Sequence, residues 1–378
     1  MKVGAIGLGK MGMLHTMNCA HIEGVKVVAA ADRSKRELKK AKSLGVKNLY
    51  TDYTELLRDF GDSLDAVLIS LPNFLHFESI QLALEAGVNV FVEKPLANTT
   101  KECSEIVKLV NKSGRKLMIG HCERFFDSIE KMKENVDKGY LGNLEAITLE
   151  SISSGPFSHG IIPKPVPEWW FDKEKVGGGV LIDIGYHLID LFRFFAGDCR
   201  LLSSHLGYKY NLPIEDSAIT VIQSKDSLTK GIVNVGWYEQ ITFPQNDYRV
   251  ILHGDYGNIS TRDFEPSNIY NYAMKEAVKN LLRKIVRKKI KPLAYANYFE
   301  GFTKELKHFF NCLENDLEPS VTAVDGLRTI EVIEEAYRLM QVHQIEQLPV
   351  VNSEHKLVGV IGVFDIFLAL FKQKGVIQ

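Results

Sequence analysis

The feature that most restricts the fold stands at the start of the chain, Val3-Gly4-Ala5-Ile6-Gly7-Leu8-Gly9-Lys10-Met11-Gly12. An apolar run ends in G-x-G-x-x-G and passes at once into a stretch with helical spacing. Asp32 closes the next apolar run 20 residues after Gly12. Glycines so placed permit a tight turn, close approach of the backbone to a pyrophosphate, and close packing of helix on strand. The anion would sit where the first N–H groups of a helix lack partners. As a lone glycine loop the motif says little; with a strand before it, a helix after it and an acid at this distance it predicts a dinucleotide site. Gly7, Gly9, Lys10, Met11 and Gly12 are the expected cradle. A carboxylate at Asp32 accepts hydrogen bonds from ribose hydroxyls and repels a 2′-phosphate, so NAD is expected. Arg33 could stack on adenine or meet a phosphate, which keeps NADP as the alternative.

Apolar runs at 3–8, 25–31, 66–71, 89–93 and 116–120 alternate with helical spacing at 12–21, 35–44, 53–60, 77–86 and 100–113. Such alternation predicts crossover units and an α/β, doubly wound parallel sheet over residues 1–122. From about Arg124 the texture changes. Runs at 144–153, 201–206, 218–223, 231–238 and 248–254 predict an α+β domain over 123–340 with a mostly antiparallel, open sheet. A chain of 378 residues is too long for one ordinary core, in keeping with this division. With 25% charged residues and a formal net charge of −1, the composition gives no reason to expect nucleic acid. Five scattered cysteines contain no C-x-x-C pair and argue against a disulfide framework or a zinc knuckle. Without a signal-peptide pattern or an apolar run of spanning length, no integral membrane segment and a cytoplasmic location are expected.

Two later segments carry charge to places where chemistry occurs. Glu93-Lys94-Pro95 follows an apolar strand at its carboxyl end, where open parallel sheets bind ligands; a solvated strand end capped by proline is the plainer reading. In Gly177-Gly178-Gly179-Val180-Leu181-Ile182-Asp183-Ile184-Gly185-Tyr186-His187-Leu188-Ile189-Asp190, the residues Asp183, His187 and Asp190 share one side if the segment is helical. That D-x-x-x-H pair suits catalysis, a metal site or a polar helix start.

Together with Leu71-Pro72-Asn73-Phe74-Leu75-His76 and the opening glycines, these segments resemble the glucose–fructose oxidoreductase and inositol dehydrogenase family (Gfo/Idh/MocA) from residue 1 to about 340. The resemblance implies hydride transfer between nicotinamide and a hydroxyl-bearing carbon of a sugar, polyol or nucleotide sugar, without a metal. It implies that Lys94 contacts the reacting hydroxyl and that His187 carries the proton, while Asp183 binds a substrate hydroxyl or orients His187. Leu71, Pro72 and Asn73 would border the nicotinamide ribose, with Glu93 and Lys94 nearby. His76 is either a cofactor contact or a helix residue with no ligand role. Arg124 lies near substrate in many relatives, or forms a salt bridge at the domain junction. Trp170, beside Trp169, lines a sugar pocket or packs in the core. A homodimer or homotetramer, built through the open face of the second sheet, is also implied.

The tail departs from that family. Gln347-Leu348-Pro349-Val350-Val351, Lys356-Leu357-Val358-Gly359-Val360-Ile361-Gly362 and Phe364-Asp365-Ile366 resemble the second half of a CBS module, which places a CBS-like tail at 341–378, sharing the preceding helix. An adenine nucleotide there would need a partner from another subunit. The stretch 268–296 departs too. Met274, Ala277, Val278, Leu281, Leu282 and Ile285 mark one helical face amid eight lysines and arginines. The first expectation is a buried apolar stripe under a solvated cationic face; attraction of a nucleotide-sugar diphosphate or of an anionic membrane surface are the alternatives. A sugar dehydrogenase, of which the UDP-N-acetylglucosamine 3-dehydrogenase type is the first to assay, is thus expected. Its rivals are a nucleotide sensor using the tail and a sugar–sugar oxidoreductase with tightly bound cofactor.

Overall fold

The five apolar runs of the first 120 residues, with one further short strand, form a six-stranded parallel sheet in a computed structural model, which describes residues 1–157, 166–238, 247–264, 269–286, 296–343, 347–351 and 357–362. Its strands are β1 (Lys2–Ile6), β2 (Lys26–Ala31), β3 (Asn48–Tyr50), β4 (Ala66–Ile69), β5 (Asn89–Glu93) and β6 (Leu117–Gly120), in the order β3-β2-β1-β4-β5-β6. Every neighbouring pair is parallel. Helices α1 (Lys10–Cys19), α2 (Lys35–Ser43), α3 (Tyr53–Phe60), α4 (His76–Glu85) and α5 (Thr100–Ser113) connect them. Helical cover on both faces explains why β4 and β6 are buried along their whole length and read as unbroken apolar runs. The strand order reverses between β1 and β4, which opens a crevice at the carboxyl ends of these two strands. Strand β3 escapes the sequence reading because three half-buried residues at a sheet edge, one of them Asn48, are too few to show a period.

Helix starts differ in a way that bears on function. The side chains of Ser34, Asp52 and Thr99 accept hydrogen bonds from first-turn N–H groups of α2, α3 and α5. Helix α1 begins at Gly9 with no capping side chain and no acid in its first turn. Its orphan N–H groups and the positive end of its dipole are left for another anion.

The second sheet follows α6 (Asp127–Asp137) and comprises β7 (Leu144–Ser153), β8 (Cys199–Gly207), β9 (Ser217–Ser224), β10 (Lys230–Trp237), β11 (Asp247–Gly254) and β12 (Gly257–Ser260). Its order is β12-β11-β7-β10-β9-β8; β7 and β10 are parallel and the other pairs antiparallel. Between β7 and β8 come the short helix α7 (Lys173–Val176), a π-helical turn (Leu181–Gly185) and α8 (Tyr186–Ala196). Helix α8 lies across the sheet with Phe192 over Gly231, where a Cβ would come within 2.5 Å of the ring.

Three long helices follow, α9 (Ile269–Ile285), α10 (Ala296–Glu314) and α11 (Ala323–His343). Helices α10 and α11 return to the first domain: Phe302 packs its ring edge-on to His15 of α1 at 6.1 Å, and Gly326 lies on Ile119 and Leu96. The Ile119 amide donates to the Val321 carbonyl at 3.1 Å, so the segment before α11 covers the edge of β6. Helix α9 corrects an expectation, because its apolar residues Met274, Val278, Leu281, Leu282 and Ile285 are exposed rather than buried. Beyond α11, β13 (Gln347–Val351) and β14 (Leu357–Gly362) pair as an antiparallel hairpin. The helix start expected at Phe364-Asp365-Ile366 and the cations Arg287, Lys288, Lys289 and Lys291 lie outside the described residues.

Candidate active site

The glycine turn is built for close contact on one side and open on the other. Gly7 has φ +82°, and a Cβ there would lie 2.6 Å from the Ser70 carbonyl oxygen at the end of β4. A Cβ on Gly12 would fall 1.9 Å from the Gly7 carbonyl oxygen, so α1 can approach the turn only without one. A Cβ on Gly9 would meet nothing within 4 Å. The turn therefore excludes side chains by packing at Gly7 and Gly12, and leaves open space over Gly9 and the uncapped start of α1. That space suits a pyrophosphate. Lys10 is exposed and Met11 half-buried beside it.

Asp32 ends β2 with its carboxylate turned to the same turn: Oδ2 accepts from the Leu8 amide at 2.6 Å and Oδ1 from the Ser34 amide at 2.7 Å. A carboxylate oxygen has two acceptor positions, so capacity remains for ribose hydroxyls. Arg33 is exposed next to it. In the loop after β4, Leu71, Pro72 and Asn73 are half-buried, and Asn73 Nδ2 donates to the Val176 carbonyl at 3.3 Å, tying the loop to α7.

Lys94 and Asp183 meet at the carboxyl end of β5. The Lys94 ammonium donates to the Asp183 carbonyl at 2.6 Å and to Asp183 Oδ1 at 2.7 Å, with the two side chains 18% and 31% exposed. An ammonium has three hydrogens, so one remains for a substrate oxygen. His187 stands a turn further on in α8, half-buried, its ring edge-on to His121 at 5.2 Å between centroids. Burial, then the Lys94 charge and the neighbouring His121 ring, hold the His187 pKa well below the usual histidine range, so the ring is a neutral base at pH 7. The structure thus brings Lys94, Asp183 and His187 into one neighbourhood; the hydrogen bonds join Asp183 to Lys94 and not to His187.

Four sequence-derived contacts look elsewhere. His76 is fully buried, with Nδ1 2.7 Å from the Pro95 carbonyl oxygen and Nε2 2.9 Å from that of Leu71. It pins two loops and presents neither nitrogen to a ligand. Glu93 has its Oε1 2.5 Å from His15 Nε2, a contact that joins β5 to α1. Arg124 is 7% exposed and grips Asp190 with Nε at 2.6 Å and Nη2 at 2.5 Å, while Nη1 reaches the Ser320 carbonyl at 2.9 Å. Its donors are taken up at the domain junction, as in the salt-bridge alternative, and Asp190 is its partner. Trp170 packs its ring 6.1 Å from that of buried Trp237, which is the core alternative, though it stays half-buried.

Two supporting residues were not singled out from sequence. Glu215, buried, accepts through Oε1 from the Gly179 and Leu181 amides at 2.9 and 3.0 Å and from the Tyr337 hydroxyl at 2.6 Å, fixing the turn that carries Asp183. A Cβ on Gly179 would strike the Glu215 carbonyl oxygen, which is one use of the glycine run. His121 stacks on Tyr186 at 5.0 Å and backs His187. An isolated glutamate and a histidine directly after a strand carry no spacing signal.

A glycine cradle on an uncapped helix, an acid at the next strand end, and a lysine–aspartate–histidine group at the carboxyl edge define a nicotinamide-dependent oxidoreductase. Residues 1–121 match the model "Oxidoreductase family, NAD-binding Rossmann fold" and residues 133–347 the model "Oxidoreductase family, C-terminal alpha/beta domain". The chain belongs to the Gfo/Idh/MocA oxidoreductase family. Residues 331–372 match the CBS domain, a match that overlaps that of the second family domain along the last part of α11. Among relatives, the scyllo-inositol 2-dehydrogenase (NAD(+)) of Bacillus subtilis is 28% identical over 342 residues, 88% of this chain and 92% of that protein. The myo-inositol 2-dehydrogenase of Thermotoga maritima is 30% identical over 199 residues, so the match spans about half of each protein, 52% and 55%. A Lactobacillus casei scyllo-inositol dehydrogenase, solved with NAD(H) and scyllo-inositol, superposes with a TM-score of 0.70 at 22% identity over 90% of this chain and 97% of that one.

Proposed function

We propose that the protein is an NAD-dependent dehydrogenase that oxidises a secondary alcohol of a cyclic polyol, sugar or nucleotide sugar to the ketone. The observation that carries this reading is the Lys94–Asp183 ion pair beside a neutral His187, at the sheet edge that also holds the glycine cradle. Bound NAD supplies the acceptor for the hydride at nicotinamide C4. Oxidation breaks the carbinol C–H and O–H bonds and forms C=O. His187 takes the hydroxyl proton, and the remaining Lys94 hydrogen stabilises negative charge developing on that oxygen. Asp183 Oδ1 holds Lys94 in place, and its other oxygen receives a neighbouring hydroxyl. In the reverse direction the same groups return the proton. Gly7, Gly9, Gly12, the α1 amides and Asp32 hold the dinucleotide.

The names of the relatives favour inositols as the first substrates, with UDP-N-acetylglucosamine as the nucleotide-sugar arm of the same assay. NADH formation across free inositols, monosaccharides and UDP-sugars, with NADP as a parallel cofactor, tests the reading. Turnover of a cyclic alcohol with NAD supports it; turnover of none overturns it. The CBS match favours one added arm, AMP and ATP as effectors of that turnover. For a homo-oligomer we place the interface on the open face of the second sheet, where Leu202, Ile219 and Ile232 are exposed.

A further inference from the structure

Helix α9 is turned inside out relative to an ordinary surface helix. Advancing about 100° per residue, Met274, Val278, Leu281, Leu282 and Ile285 fall within one arc of about 100°. They are 58–71% exposed. Asn280 and Arg283 lie on the opposite side; Asn280 is 5% exposed and Arg283 half-buried, and Arg283 donates to Asn280 at 2.8 Å. The polar side thus faces the protein, and five large apolar side chains face outward. Such a contiguous patch calls for an apolar cover.

Charge decides which cover. Lys275 borders the apolar arc on one side and Lys284 on the other, both exposed. Over 269–291 the sequence holds eight lysines and arginines against one acid, Glu276. A second copy of α9 laid on this face would bring two cationic rims together, which is unfavourable. An anionic bilayer surface fits both parts, because apolar side chains enter the headgroup and acyl boundary while rim lysines reach lipid phosphates. None of the described helices is long and apolar enough to cross a membrane.

We propose that α9 docks the protein onto an anionic membrane surface, with Met274, Val278, Leu281, Leu282 and Ile285 as the inserted face and Lys275 and Lys284 as its rim. The proposal concerns a face outside the candidate active site and stands or falls independently of the dehydrogenase reading. The test is co-sedimentation of the full chain with phosphatidylcholine vesicles, with and without about one-third phosphatidylglycerol. Leu281→Gln/Ile285→Gln and Lys275→Gln/Lys284→Gln are compared with the unaltered protein, circular dichroism and NAD binding serving as controls of folding. Binding to anionic vesicles, weakened about tenfold by either double substitution and by high salt, is expected. Three results would overturn the proposal. One is no binding to anionic vesicles; another is binding that Leu281→Gln/Ile285→Gln leaves unchanged, which is mere charge adsorption. The third is a fall in oligomer mass in that variant, which makes the face a contact between copies.

Discussion

At the residue scale the two ends of the glycine motif separate packing from binding. Gly12→Ala places a Cβ 1.9 Å from the Gly7 carbonyl oxygen and should unfold or distort the first domain. Gly9→Ala meets no protein atom. It should leave the melting temperature of the protein alone unchanged while weakening NAD binding about tenfold or more, measured by calorimetry. Equal loss of stability in both variants would show that Gly9 is structural. Lys94 is tested by pH. His187 is held below its ordinary pKa in part by the Lys94 charge, so oxidation should persist as pH falls through about 6.5 and fail only lower. Lys94→Met removes that charge: kcat should fall by about 10²-fold, and the acid limb of kcat/KM should move to higher pH. An unmoved limb would mean the two residues do not share a site. The sequence singles these residues out because motif and strand end coincide. For His76, left open between a cofactor contact and a helix residue, and for Glu93, expected at the cofactor, sequence gives the place at the crevice but cannot say which way a side chain points: His76 turns to the Leu71 and Pro95 carbonyls and Glu93 to His15.

At the element scale, strands were readable where both faces or one face are buried, as in β4 or the alternating β10, because burial imposes a period on the sequence. The π-helical turn at Leu181–Gly185 was not, since its hold comes from Glu215 and Tyr337, distant in sequence. The apolar face of α9 has the period of a buried stripe, and periodicity does not reveal what covers it. Helix α8, which carries His187, is fixed to the end of β6 by the Arg124–Asp190 pair. Both residues are nearly or fully buried, so Arg124→Met leaves Asp190 only its longer contacts to Arg193 at 3.8 Å and His121 at 3.4 Å and should cost up to about 3 kcal/mol in denaturant unfolding. In the surviving folded fraction KM for the alcohol should change little. A large rise in KM with intact stability would restore Arg124 to the substrate.

At the scale of the whole molecule, buried titratable groups shape stability from two sides. Burial pushes the Glu123 carboxyl up to about 8, and burial beside Glu93 raises Glu305 well above the carboxylate range. The native state therefore holds protons that the unfolded chain releases near 4.3, and stability falls as pH rises from there towards 8. His121 and His187, depressed by burial, act oppositely and cost stability as pH drops below about 6.5. Glu123→Gln should flatten the fall between about pH 6.5 and 8 by up to about 1.4 kcal/mol per unit in urea titrations; an unchanged slope would place the carboxyl in contact with water. The passage from a parallel sheet to a second, mostly antiparallel one was legible from the change of texture near residue 124. The closing of the first sheet's edge by the segment before α11 was not, because it joins residues 119 and 321. The most direct test of the central claim is NADH formation from a cyclic polyol by the wild type and His187→Ala, with NAD affinity measured in both. The account predicts turnover reduced by about 10²–10⁴-fold with NAD affinity unchanged; equal turnover in the two proteins would contradict it.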